Sequence, residues 1–276
     1  MHLPLTTALL VTTALLAAPA PAAAAPAEPR SVSEAQSVPV SETQSVSRTT
    51  ASYAIYDRFA RKVTGRDVHK RIRSASLVKI LIAIEQLETR GDDPRIEPML
   101  RVSDDYSASE LWVENGWEQV VVRTARRLGL RDTRPPENRG MWGYTAVSAH
   151  DVVQTYRYLL ERAAPKVRHT VMGHLHRAER CASDGFDQSF GLPSVTWRPA
   201  FKQGWSGFGD PVRPCVDRPR PRVRWELDTT SPALHTSGTC GFSVVAVLTL
   251  HPEGTSYETA AKRVTRLTEE VTKYRC

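Results

Sequence analysis

Apolar side chains at Leu77, Val78, Ile80, Leu81, Ile82, Ala83, Ile84 and Leu87 leave almost no polar stripe, which predicts a helix buried on all sides within a larger domain. Upstream, residues 52–57 read as a strand, with a turn near Thr64-Gly65-Arg66 and a second short extended segment before that helix. From Asp92 to about Gly191 helical spacing dominates. It predicts helices over 108–115, over 118–128 closed by Gly129, and over 148–163 with Val152, Val153, Tyr156, Leu159 and Leu160 on one face. Pro135, Pro136, Gly140 and Gly143 mark residues 133–145 as a loop. Strands return at the end: 200–205 is extended, 222–227 alternates, and the continuous apolar run 243–250 predicts a central strand covered on both faces. Residues 257–274 form an amphipathic helix through Ala260, Val264, Leu267, Val271 and Tyr274. Strands at both ends and helices between imply an α/β chain of the α+β type, its sheet assembled from both chain ends with a helical lobe inserted. A cleft between the two is expected.

The first residues do not fit that domain. Residues 1–27 combine an apolar Leu/Thr/Ala run with Ala25-Pro26-Ala27 as a cleavage site and read as a secretory signal peptide, although His2 is the only basic residue before the run. No cysteine stands near that site to carry a lipid, so a released, extracellular protein of the cell envelope, without a membrane span after processing, is the expectation. Residues 28–50, rich in Ser, Val, Thr, Glu and Gln, read as a disordered linker, and 51–276 as one domain.

The chain has four cysteines, Cys181, Cys215, Cys240 and Cys276. In an exported protein they suggest two disulfides, with three connectivities open and Cys215–Cys240 plus Cys181–Cys276 as the expected set. Their spacing does not resemble a zinc site, and nothing in the sequence calls for a metal or organic cofactor. The formal charge is +7, with arginines crowded around 213–224. Prolines interrupt that run and few aromatics interleave it, which favours a solvated loop or attraction to anionic wall polymers over specific nucleic-acid binding.

The candidate chemistry begins at Ser76-Leu77-Val78-Lys79. A hydroxyl and an amine three residues apart at a helix start share one face, where a desolvated lysine can take the hydroxyl proton. A lysine in so apolar a helix must face a cleft or have a partner, because an unpaired buried ammonium is costly. The plain alternative is a serine cap beside a solvated lysine. Two further segments follow: Ser103-Asp104-Asp105 before Tyr106-Ser107-Ala108-Ser109-Glu110-Leu111-Trp112, and Lys202-Gln203-Gly204-Trp205 on a strand after the helical stretch. His235 reads as a turn or cleft-wall residue before the last strand, since Lys79 already supplies a base.

In this order the segments resemble the Ser-x-x-Lys, Ser-Asp-Asn and Lys-Thr-Gly elements of the penicillin-recognising serine enzymes, the class A β-lactamases and D-Ala-D-Ala peptidases. Together with Trp142-Gly143-Tyr144-Thr145, they are more similar still to the β-lactamase-related serine hydrolases of actinobacterial exported proteins. The resemblance implies Ser76 as nucleophile, Lys79 as general base, and Ser103 as the group passing a proton to the leaving nitrogen. It puts Asp105 where an amide orients substrate, Lys202 as a point charge for a substrate carboxylate, and Gly204 where a ligand backbone approaches the strand. The backbone N–H groups of Ser76 and Trp205 would form the oxyanion hole. The implied substrate is a small peptide or lactam carrying a carboxylate, as in cell-wall stems. A non-catalytic envelope protein of the same fold, binding wall peptides or a protein partner, is the alternative, favoured by Asp105, Gln203 and the short 133–145 loop.

Overall fold

A computed structural model describes residues 48–208, 215, 231–273 and 275–276. The signal segment, nearly all of the linker, the 222–227 strand and Tyr274 lie outside the described residues.

Strand β1 (Thr50–Asp57) turns through 58–61 into β2 (Lys62–Arg66), so Thr64-Gly65-Arg66, expected as a turn, is ladder instead, Gly65 lying opposite Ala54. A Cβ on Gly65 would sit 2.0 Å from the Tyr53 carbonyl oxygen, which explains a glycine inside a strand. After β3 (Ile72–Arg73) a single 3₁₀ turn (Ala75–Val78) leads into α1 (Lys79–Thr89). Every residue from Lys79 to Leu87 is buried, as the apolar run predicts. Its buried polar positions have partners: Arg123 and Arg127 pair with Glu85, and Asn115 donates to Gln86.

The helical lobe continues with α2 (Ile96–Arg101), α3 (Asp105–Glu114) and α4 (Gln119–Leu128), which ends on Gly129 in the left-handed region at φ 74°. Strand β4 (Ala146–Val147) pairs with β3, and Ser148 caps α5 (Ala149–Glu161) by accepting from Asp151 N–H. Helices α6 (Pro165–His176) and α7 (Leu192–Val195) precede the returning strands β5 (Phe201–Ser206), β6 (Ala233–Cys240) and β7 (Ser243–Leu250), and α8 (Tyr257–Thr272) follows. Strand β6 was not expected: Leu234-His235-Thr236-Ser237-Gly238 carries little β-propensity, and pairing on both sides makes it a strand.

The antiparallel sheet has the order β2-β1-β7-β6-β5 and so joins both parts of the chain. Strand β7 is covered on both faces, as its apolar run requires: Val244, Ala246 and Leu248 join the core of the helical lobe, while Val245 and Val247 pack beneath α8. The disulfides are Cys181–Cys215 and Cys240–Cys276, not the expected set. Cys240 ends β6 beneath α8, and the turn after that helix brings Cys276 within reach, a proximity set by helix packing that sequence spacing does not reveal.

Candidate active site

Ser76 sits in the 3₁₀ turn rather than at the first position of the α-helix, and Lys79 opens α1 immediately after it. In a 3₁₀ turn residues i and i+3 eclipse, which stacks the two side chains' origins. The turn is held from outside: Ser74 N–H donates to the Thr145 carbonyl at 2.8 Å and Ser74 Oγ to that of Gly143 at 3.3 Å. Ala75, just before Ser76, has φ 45°, a left-handed conformation that costs an alanine energy and persists only where surrounding contacts impose it.

Gly204 lies against the serine-bearing turn. A Cβ there would lie 2.9 Å from the Ser74 carbonyl oxygen and 3.2 Å from Leu77, so its bare face admits that turn. Gln203 points the other way along the alternating strand, its amide donating to the Gln188 carbonyl at 3.0 Å and to that of Phe190 at 2.5 Å. A glutamine where the resembling enzymes have threonine therefore leaves this face of the strand untouched.

Behind the turn, the three N–H bonds of the Lys79 ammonium run to the Ser103 carbonyl at 2.6 Å, Ser103 Oγ at 3.2 Å and Asp105 Oδ1 at 2.5 Å. None reaches Ser76. The Lys202 ammonium donates to the same Ser103 Oγ at 2.8 Å and to the Gln203 carbonyl. Burial, reinforced by the nearby Lys79 charge, holds the Lys202 amine well below the usual lysine range. Ser103 itself has φ 56°, and Asp104 caps α3 by accepting from Ser107 N–H at 2.7 Å. Because Asp104 caps the helix, Ser103 is left to face the lysines.

Lys79, Ser103 and Lys202 are buried, and a cleft of about 610 Å³ opens over them. Ser76, Asp105, Trp142, Asp184, Phe186 and Trp205 are among the residues lining it. The Lys202 ammonium supports Ser103 from beneath. The Trp142 ring lies 4.9 Å from Lys79 Nζ, close enough for a cation–π contact, and its indole N–H donates to Ser109 Oγ. Trp205 donates from its indole to Asp184 Oδ2 at 2.8 Å.

The fold that carries these residues has counterparts among solved structures. PBP-A superposes with a TM-score of 0.58 at 13% identity, covering 83% of this chain and 92% of that one. TLA-1 extended-spectrum β-lactamase gives 0.63 at 11%, covering 82% and 93%, and a β-lactamase from Chitinophaga pinensis gives 0.59 at 11%, covering 81% and 94%. The fold is that of the class A β-lactamases and PBP-A. Among curated proteins, LppW of Mycobacterium tuberculosis, named as a lipoprotein, is 34% identical over 170 residues, 56% of this chain. LppW of Mycobacterium bovis matches equally. The chain spans about half the length of these relatives, 54%. No family model matches it.

Within the β-lactamase-like frame, two carboxylates stand on the cleft, Asp105 and Asp184. Asp184 escaped the sequence reading because it sits in an irregular stretch without a motif. Burial raises its pKa, with the Trp205 and Phe186 hydrogen bonds opposing and the Asp105 charge adding. The 133–145 loop contributes residues 140–144 to the lining, whereas Glu137 is exposed and does not line the cleft. His235, expected in a turn or cleft wall, lies buried in β6. Its Nδ1 accepts from Thr249 N–H and its Nε2 faces the Arg73 carbonyl at 2.9 Å, so the ring is neutral and fully used inside the protein. Burial pushes its pKa down to about 4.

Proposed function

We propose that the chain is an exported serine hydrolase that forms an acyl-enzyme at Ser76 from an amide or peptide bond, in cell-wall stems or β-lactams, and releases it slowly. The observation carrying this reading is the convergence of Lys79 and Lys202 on Ser103 beside a cleft lined by Ser76. In the proposed reaction Ser76 Oγ attacks the carbonyl carbon and gives its proton to Lys79. The C–N bond breaks, the leaving nitrogen takes a proton from Ser103 Oγ, and Ser103 is reprotonated by its lysine neighbours. Water then hydrolyses the ester. The Ser76 and Trp205 N–H groups would hold the oxyanion, and Asp105 would orient the substrate. Lys202, through Ser103, would help to bind a substrate carboxylate.

For Lys79 to accept the Ser76 proton, its ammonium must first give one up, and the freed lone pair must turn to Ser76 in place of one present hydrogen bond. No carboxylate of the 133–145 loop stands on the cleft to activate the deacylating water, which supports slow turnover. The same two features favour a second reading, a non-catalytic protein of this fold that binds wall peptides. Export and an envelope location are supported by the name of LppW and by two disulfides, which persist in oxidising compartments. Among the described residues no helix is long and apolar enough to cross a membrane.

Intact-protein mass spectrometry after incubation with a penicillin, alongside Ser76→Ala, tests the proposal. A stable adduct on the parent protein and none on the variant is expected. An adduct unchanged in Ser76→Ala would remove Ser76 as nucleophile, and the absence of any adduct with penicillins and with peptide or ester analogues would favour the binding protein.

A further inference from the structure

On the helical lobe, three residues remote in sequence come together: His69 in the loop between β2 and β3, Asp132 after α4, and His150 in the first turn of α5. One ligand-capable atom of each lies within 4.8 Å of the other two. His69 Nδ1 is 2.8 Å from Asp132 Oδ2, and the two imidazole centroids are 4.7 Å apart. Sixty-three positions separate His69 from Asp132, so no sequence spacing announces the cluster.

What distinguishes it from a surface ion pair is the layer behind. Ser148 Oγ donates to Asp132 Oδ2 at 2.7 Å and fixes that carboxylate. His150 Nδ1 stands 3.2 Å from Oδ1 of Asp151, a buried carboxylate whose Oδ2 accepts from Asp132 N–H, Thr133 N–H and Thr133 Oγ1. The Arg131 N–H donates to Asp151 Oδ1 at 3.2 Å, so both oxygens of this carboxylate are placed as acceptors. An ionised carboxylate only accepts, so His150 carries its proton on Nδ1 and keeps a lone pair on Nε2. A carboxylate that holds one imidazole nitrogen and leaves the other unprotonated is the arrangement found behind metal-binding histidines.

We propose that His69, Asp132 and His150 bind one divalent first-row transition-metal ion, with two imidazoles and one carboxylate as ligands and solvent completing the shell. The donor set suits zinc and its neighbours rather than magnesium or calcium, which take oxygen ligands. Tetrahedral bonds of about 2.0–2.1 Å need the donor atoms to be roughly 3.3 Å apart, so the His69–Asp132 pair, now 2.8 Å apart, must open while the wider separations, up to 4.8 Å, close. His69, with a side chain 55% exposed on a loop, is free to make that movement. The Gln154 amide, 3.4 Å from His150 Nε2, is the group the ion displaces there. The ion would tie the loop entering β3, and so the approach to the Ser76 turn, to the start of α5, where His150 N–H already donates to the Val68 carbonyl.

The test is titration of tag-free, chelator-stripped protein with zinc chloride, by calorimetry and by thermal melting. Expected are one saturable site per chain and a rise in Tm with zinc that calcium does not reproduce. Affinity should fall about 10–100-fold in His69→Ala and in His150→Ala and stay unchanged in His176→Ala, a histidine on α6. His69→Ala removes an exposed loop side chain and retains the fold. Zinc binding of equal affinity in parent and His69→Ala, or no saturable binding in the parent, would overturn the proposal.

Discussion

Lys79 and Lys202 direct their ammonium groups at one oxygen, Ser103 Oγ, from 3.2 and 2.8 Å. Among the described residues only Lys79 of the two also has a carboxylate partner, Asp105. Burial and the Lys79 charge both disfavour a second ammonium, so of the two amines Lys202 is the one pushed toward its neutral form. A hydroxyl between them can accept from one and donate to the other, as a proton relay requires.

Asp105→Asn should speed acylation. An amide keeps an acceptor for Lys79 but removes the charge that fastens the ammonium away from Ser76. We expect the rate of penicillin adduct formation to rise at least about tenfold, a modest part of what a general base contributes. Time-resolved mass spectrometry measures it, and a rate that falls would show that the carboxylate is needed.

Lys202→Met should separate stability from activity. Removing a buried amine that has no carboxylate partner among the described residues, in exchange for a flexible apolar chain of similar length, should raise the unfolding free energy by about 1–3 kcal/mol. Acylation should drop by about 10²-fold as Ser103 loses its support. Urea unfolding at neutral pH and adduct kinetics decide both, and a destabilised variant would count against the argument.

His235 makes stability depend on pH. Its folded pKa of about 4 lies below the ordinary 6.5, so the unfolded chain takes up a proton that the folded ring refuses. Stability from this group is complete above pH 6.5 and is lost as pH falls towards 4, by about 3 kcal/mol in all. Urea unfolding at neutral and mildly acidic pH should show that loss, and His235→Gln should be weaker at neutral pH with a flatter dependence. An unchanged slope in the variant would assign the effect elsewhere.

Gly204→Ala should displace the turn bearing Ser76. The new methyl meets the Ser74 carbonyl oxygen at 2.9 Å, a contact relieved only by moving backbone. A loss of about 1–3 kcal/mol in stability and a disproportionate loss of acylation are expected. Retention of full adduct formation would show that the turn tolerates the shift.

Replacing Cys240 and Cys276 together by serine should cost roughly 2–4 kcal/mol, since the bond closes a loop with a sequence separation of 36. Thermal melts of the variant and the parent, both oxidised, report it.

Where local pattern and tertiary environment agreed, the sequence was readable. The α1 helix, β7 and α8 announce themselves because their apolar positions follow the faces they bury. Strand β6 and the Thr64-Gly65-Arg66 segment did not, because polar and glycine residues become strand only when neighbouring strands pair with them. At the site, the motif residues lie near one another, but what three residues pack against is set by distant parts of the chain. Gly204 is bare for packing, Lys202 is a support under Ser103, and His235 is a buried structural imidazole. Asp184 had no motif to mark it, and its place on the cleft follows from the Trp205 indole that holds it.

Strand β1 pairs along its whole length with β7, Thr50 opposite Leu250. During synthesis the first strand of the sheet therefore waits for a partner made some two hundred residues later, with only the β2 hairpin for company. Contacts so distant along the chain form late and slowly, because the intervening loop must be closed before they stabilise anything. The centre of the sheet therefore closes late, and the helices between the two strands have their own core to assemble before it does.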